Sequence, residues 1–190
     1  MVRLRCTRDA SHLLTFFFRV HQKVISKVGQ TPSLADLHSA DVAKYRKVLG
    51  DDRYREFTKA IGLNAHGIGI GAFVYLRRLF EWLIGTAHGQ ASKEAGWDEG
   101  AYQKTRMDEK ILLLKGRLPS FLVENRHIYS ILSLGIHELS EGQCLKLFAP
   151  VRTGIELILD EEIERRERTE KEEKTRKALL AMKSDLGGKK

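Results

Sequence analysis

The 190-residue chain is 42% apolar and 31% charged, with a net charge of +8 and a pI near 9.5. That composition excludes a disordered chain, and two cysteines exclude a disulfide-stapled scaffold. The basic balance permits binding to RNA or another polyanion, and the cysteine usage points to a reducing, cytoplasmic compartment.

Residues 1–30 read as a basic N-terminal arm. Arg3, Arg5, Arg8, Arg19, Lys23 and Lys27 stand against Asp9 alone. Arg3, Arg5, Arg8, Arg19 and Lys23 are the arm's candidate nucleic-acid contacts. Its apolar run, HLLTFFFRV at 12–20, reads as a short strand or a buried helical turn, and periodicity does not decide at this length. No apolar run of signal-peptide length opens the chain. No segment is long and uncharged enough to span a bilayer, so no membrane association is expected.

From Thr31 the pattern becomes helical, and residues 31–159 read as an α-helical bundle. Pro32 and Ser33 precede LADL, a helix start. Residues 40–50 place Val42, Tyr45, Val48 and Leu49 on one face and stop at Gly50. The next segment carries Tyr54, Phe57 and Ile61 on one stripe. After HGIGIG, residues 72–89 are apolar nearly all round, which predicts the central, most buried helix. Residues 98–115 predict one more polar helix. Pro119 and Ser120 open another, which runs on through RHIYSILSLGIHELS at 126–140. Ser140 and Gln143 have capping-box spacing, so the last helix is predicted to begin near Glu141, with a kink or break at Pro150.

Past Asp160 the apolar stripe ends, and residues 160–190 read as a charged helical extension. Seven Glu-to-basic pairs at i,i+4, from Glu161–Arg165 to Glu173–Lys177, predict a solvated helix held by its own surface ion pairs. Leu179, Leu180 and Met182 near its end offer a contact for a protein partner. The fold class read from these elements is all-α, with a long charged C-terminal helix and an arm that holds at most a short strand.

Several positions carry candidate chemistry. Gly67, Gly69 and Gly71 lead into the central helix, where backbone N–H groups hold a phosphate in other proteins. No strand precedes them and no Gly-Lys-Ser/Thr follows, so the plainer reading is close helix packing. Arg77 and Arg78 lie in the most apolar helix and need partners. Arg78 and Glu81 have i,i+3 spacing and form the expected pair, leaving Arg77 to seek a carboxylate or a phosphate. Cys6 and His12 are too few to make a zinc site without a C-x-x-C, so no metal or cofactor is expected. His137 ends its helix, facing solvent or a cleft lined by the central helix. A histidine there stabilises the helix dipole when protonated.

The buried YLRRLFEWLI at 75–84 and the later SILSLGIHE at 130–138 are ordered as in a known group. Over roughly residues 40–160, the chain resembles the HEPN helical-bundle proteins. The resemblance implies a helical bundle, a homodimer, and either metal-independent ribonuclease activity in phage-defence or toxin–antitoxin systems or a non-catalytic role in binding RNA or scaffolding. Catalytic members have an arginine separated from a histidine by four to six residues. Before His137 those positions hold Ser130, Ile131 and Leu132; before His127 they hold Ser120, Phe121 and Leu122. Arg5 and His12 meet the spacing only within the basic arm. The chain therefore reads as a non-catalytic or degenerate HEPN-like module that binds RNA or a protein partner. If it is active, His137 with Arg77 or Arg78 is the candidate catalytic set. A third reading is a structural protein working through its C-terminal helix.

Overall fold

A computed structural model describes the backbone of residues 1–187 and the side chains of 1–37 and 41–183. The chain opens with three strands, β1 (Val2–Arg5), β2 (Leu13–His21) and β3 (Val24–Thr31). They form an antiparallel sheet in the order β1-β2-β3. The helices α1 (Leu34–Ser39), α2 (Arg46–Ala65), α3 (Gly69–Ala91), α4 (Glu99–Lys104), α5 (Met107–Leu113), α6 (Ser120–Glu124), α7 (Ile128–His137) and α8 (Glu141–Gly187) follow, with a 3-10 turn at Ala40–Tyr45.

The sheet corrects the all-α expectation. The aromatic run is its central strand, and the flanking segments VRLR and VISKVGQT pair with it. Gln22 at φ 51° stands in the tight turn between β2 and β3. Phe17 pairs with Gly29 and Phe18 with Lys27, so Val28 has no opposite residue and the strand bulges there.

The helical core forms largely as the periodicity requires. Val42, Tyr45, Val48, Leu49, Phe57 and Ile61 are all buried. Gly50 takes φ 67°, a left-handed value that glycine adopts freely, and it interrupts α2 where the helix stop is expected. In α3, Ala72, Phe73, Leu76, Leu79, Phe80, Ile84 and Ala91 are nearly or wholly inaccessible. Their three- and four-residue spacing puts them on one broad face, against α2, α7 and α8.

Other expectations fail for identifiable reasons. The single helix at 98–115 is two, because Thr105 and Arg106 are extended between α4 and α5. The Asp98 carboxylate caps the first, accepting the Ala101 N–H at 2.9 Å. The helix opened by Ser120 ends at Glu124 and α7 restarts at Ile128. At α8, Ser140 and Gln143 form the anticipated capping box. The helix then continues through Pro150 without a break.

The predicted ladder of i,i+4 pairs on α8 is mostly absent. Glu162–Arg166 forms at 2.8 Å, but Glu162 also holds Arg165 at 2.6 Å. Glu161 turns inward to cap α6, accepting the Ser120 and Phe121 N–H groups at 2.6 and 3.0 Å. Glu167 reaches Lys47, and Asp160 reaches Lys44. Carboxylates within reach of the bundle bond to it, because a charge-assisted bond to an ordered partner outweighs a screened surface pair. Residues 164–183 are exposed on every side, including Leu179, Leu180 and Met182.

Candidate functional site

The N-terminal sheet is largely exposed, with Thr15 its one buried residue. Opposite residues of an antiparallel ladder share a face, and alternate residues of a strand switch faces. Arg3 pairs with Thr15 and Arg5 with Leu13. The face they share therefore continues along β2 through Phe17, Arg19 and His21. Arg3, Arg5, Arg19 and His21 are exposed, and Phe17 is 42% exposed. Phe17 lies across from Gly29, whose missing side chain leaves the ring uncrowded. Arg8 sits in the β1–β2 loop and Lys23 in the β2–β3 turn. Asp9, also in the loop, is the sole carboxylate among residues 1–31.

The opposite face is apolar. It pairs Leu4 with Leu14 and Val2 with Phe16, and runs on through Phe18 and the pair Val20–Ile25. Lys27 lies over the Phe16 ring at 5.2 Å from its centroid. Beyond Arg5–Leu13, the Cys6 N–H donates to His12 O at 3.0 Å, which brings the side chains of this next pair together on the apolar face.

Arg77 and Arg78 are placed differently. The Arg77 guanidinium bonds Glu81 Oε1 at 2.9 Å and donates to the Tyr129 hydroxyl at 3.0 Å. Arg78 reaches Glu56 on α2 at 2.6 Å. The expected Arg78–Glu81 pair is thus replaced by Arg77–Glu81 at i,i+4, while Arg78 points to the neighbouring helix. Both guanidinium groups already have a carboxylate.

The glycine-rich entry to α3 is filled from within the chain. A side chain at Gly69 would stand 2.8 Å from Leu145 N and 2.9 Å from Cys144 Cβ, so glycine lets α3 and α8 approach. Glu141 accepts the Gly69 N–H and, at 3.3 Å, the Ile70 N–H. A carboxylate of the protein occupies the position a phosphate would take.

His137 is exposed at the C-terminal end of α7 and makes no side-chain hydrogen bond or ion pair among the described residues. Gly135 of α7 meets Phe73, and Tyr129 meets Arg77, so α7 and α3 run antiparallel. At 1.5 Å per residue, His137 lies about 12 Å along α7 from the level of Arg77. The fold groups Arg77 with Glu81 and Tyr129, not with His137. Replacing His137 by alanine should lower stability by no more than about 1 kcal/mol, the size of a terminal dipole contact. Urea denaturation of wild type and variant measures it.

A second histidine cluster is not legible in the sequence. His88 stacks on Tyr102 at 4.0 Å between centroids, and its Nε2 lies 2.8 Å from Glu99. Glu99 also accepts from Gln103 and Trp97, and these bonds, led by Gln103, hold its carboxyl down at about 2. Every group there has a partner within the cluster, as a structural brace does. The tertiary fold alone joins α3 to α4 at this point.

The described residues include no group of three or more His, Cys, Asp or Glu placed to hold a metal ion. Among them no helix is long and apolar enough to cross a membrane. Compared with family models, with curated proteins and with solved structures, the chain gives no match.

Proposed function

We propose that this chain is a non-catalytic, HEPN-like helical module that binds RNA through the basic face of its N-terminal sheet. The observation that carries the reading is the grouping of Arg3, Arg5, Arg19 and His21 around an exposed Phe17, on a face without a carboxylate. Arginines that hold no carboxylate among the described residues attract phosphates, and an exposed ring gives a base a surface to stack on. Arg77 and Arg78 are weaker candidates, since Glu81 and Glu56 already neutralise them. The reading without catalysis draws on the missing arginine before His137 and on the distance of His137 from Arg77.

Anisotropy of a fluorescent RNA oligonucleotide, titrated at several salt concentrations, tests the proposal. Affinity should fall as salt rises. Joint replacement of Arg3 and Arg19 by alanine should weaken binding and reduce the log–log salt slope by about one for each phosphate that is no longer neutralised. Binding that is salt-independent, or unchanged in that variant, removes the proposal. An assay for RNA cleavage without added metal should find none. If wild type cleaves and His137→Ala does not, the ribonuclease alternative is correct, and its arginine comes from another helix or a second subunit.

The exposed end of α8 supports a further reading, a protein partner held through Leu179, Leu180 and Met182. These side chains are each about 60% exposed on a stretch of helix, residues 164–183, that is exposed throughout. Loss of a partner on replacing all three by serine, with RNA affinity intact, separates this contact from the sheet.

A further inference from the structure

The β1–β2 hairpin brings three groups of matched chemistry together. Just past the last ladder pair, Arg5 and Leu13, the Cys6 N–H donates to His12 O at 3.0 Å, so Cys6 and His12 face one another across the open end of the hairpin. Asp9 Oδ2 lies 3.2 Å from His12 Nε2. Its Oδ1 accepts the Ser11 N–H at 2.9 Å and the Ser11 hydroxyl at 2.6 Å, which holds the carboxylate in place. The result is a thiol, an imidazole beside it, and a carboxylate that orients the imidazole, the order of parts in a nucleophile–base pair with its anchor.

The charged and titratable groups around the sulfur are His12 and Asp9, with Arg5 and Arg8 next to it along the hairpin. The backbone N–H groups of Asp9 and Arg8, followed by His12, bring the thiol below its ordinary range. Cys6 is exposed. Cys144 provides the contrast. It is buried, donates to Gly135 O at 3.3 Å, and burial raises its thiol pKa.

A separate observation gives the class of partner. An open cavity of about 530 Å³ adjoins Cys6 and His12; Leu4, Leu14, Pro32 and Leu37 line it, together with Arg5 and Leu13 of the basic face. The apolar face of the sheet leads away from it through Phe16 and Phe18 to Val20 and Ile25, which are 68% and 70% exposed. The thiol therefore stands at one end of an apolar track, which the Lys27 ammonium crosses at Phe16. Apart from Arg5, the arginines of the basic face lie on the other side of the sheet.

We propose that Cys6 is a nucleophile that accepts an apolar acyl group from a thioester donor, with the acyl chain lying along the apolar face. His12 takes the Cys6 proton, and Asp9 stabilises the imidazolium. The thiolate attacks the thioester carbonyl, forming a new S–C bond as the π pair moves to oxygen. Collapse of this intermediate breaks the donor's C–S bond. The donor leaves as a thiolate and takes the proton from His12, so one thioester replaces another with no oxidant or reductant.

The test uses the full chain with octanoyl-coenzyme A and acetyl-coenzyme A as probes, followed by intact-mass spectrometry. Wild type should gain one octanoyl group, removable by neutral hydroxylamine. It should react with the octanoyl donor at least about tenfold faster than with the acetyl donor, since burial of a few methylene groups gives that factor. Cys6→Ser should abolish the reaction, Cys144→Ala should leave it unchanged, and His12→Gln should slow it about 10²-fold or more. Joint Leu4→Ser and Phe18→Ser should erase the chain-length preference. The same variant should keep its wild-type rate with dithiobis(nitrobenzoate), a small disulfide that reads the thiol alone. Equal rates with both acyl donors overturn the proposal. So does acylation of Cys6 no faster in the folded protein than in urea.

Discussion

Replacing Gly135 by alanine should destabilise the protein by about 1–3 kcal/mol, the usual cost of forcing a methyl group into a packed core. For a chain of this size, that is a fall in melting temperature of roughly 2–4 °C per kcal/mol. A methyl group on Gly135 would overlap Phe73 Cδ1 and stand 2.7 Å from Cε1. The ring is wholly inaccessible between α3 and α7, so it has no open space to turn into. The Gly135 carbonyl is also held, accepting from Cys144 Sγ, which resists a retreat of α7. A companion variant gives the cause. Phe73→Leu in the alanine background should recover part of the loss, with a coupling of about 0.5–3 kcal/mol in the double-mutant cycle. Strict additivity would show that the ring does not fill this site.

Phe80→Ala should cost roughly 3–5 kcal/mol, the range for removing a fully buried aromatic side chain and leaving a cavity. Phe80 is 0% exposed on α3. Its ring centroid lies 6.2 Å from that of Tyr129, whose hydroxyl bonds Arg77 and Glu81 of the same helix. Loss of the ring therefore removes apolar packing and loosens the polar clamp between α3 and α7. Urea denaturation followed by far-UV circular dichroism measures the change. A loss below about 1 kcal/mol would show that α3 is not the centre of the fold.

What the amino-acid sequence determined by itself is local. The stripe from Val42 to Leu49, the stop at Gly50, the cap made by Ser140 and Gln143 and the apolar run of α3 are all legible because each depends on residues within a turn or two. Helical hydrogen bonds and caps close over three or four positions, so the pattern and the structure share one length scale. The basic character of residues 1–30 is equally plain from composition.

The tertiary structure decided what depends on distant partners. Strand pairing joins Val2 to Phe16 and Thr15 to Thr31, and neither VRLR nor VISKVGQT has an apolar run that announces a strand. Only the register separates a basic face from an apolar one, since a shift of one residue would exchange them. The same register sets Cys6 beside His12, which spacing alone leaves as half of an improbable metal site. Arg78 found Glu56 instead of Glu81, Glu161 found the start of α6, and Glu141 found Gly69, because a carboxylate takes the best-placed donor in space whatever its distance in sequence. His137 shows both sides: its position at a helix end is readable, but its separation from Arg77 follows from the antiparallel packing of α7 on α3.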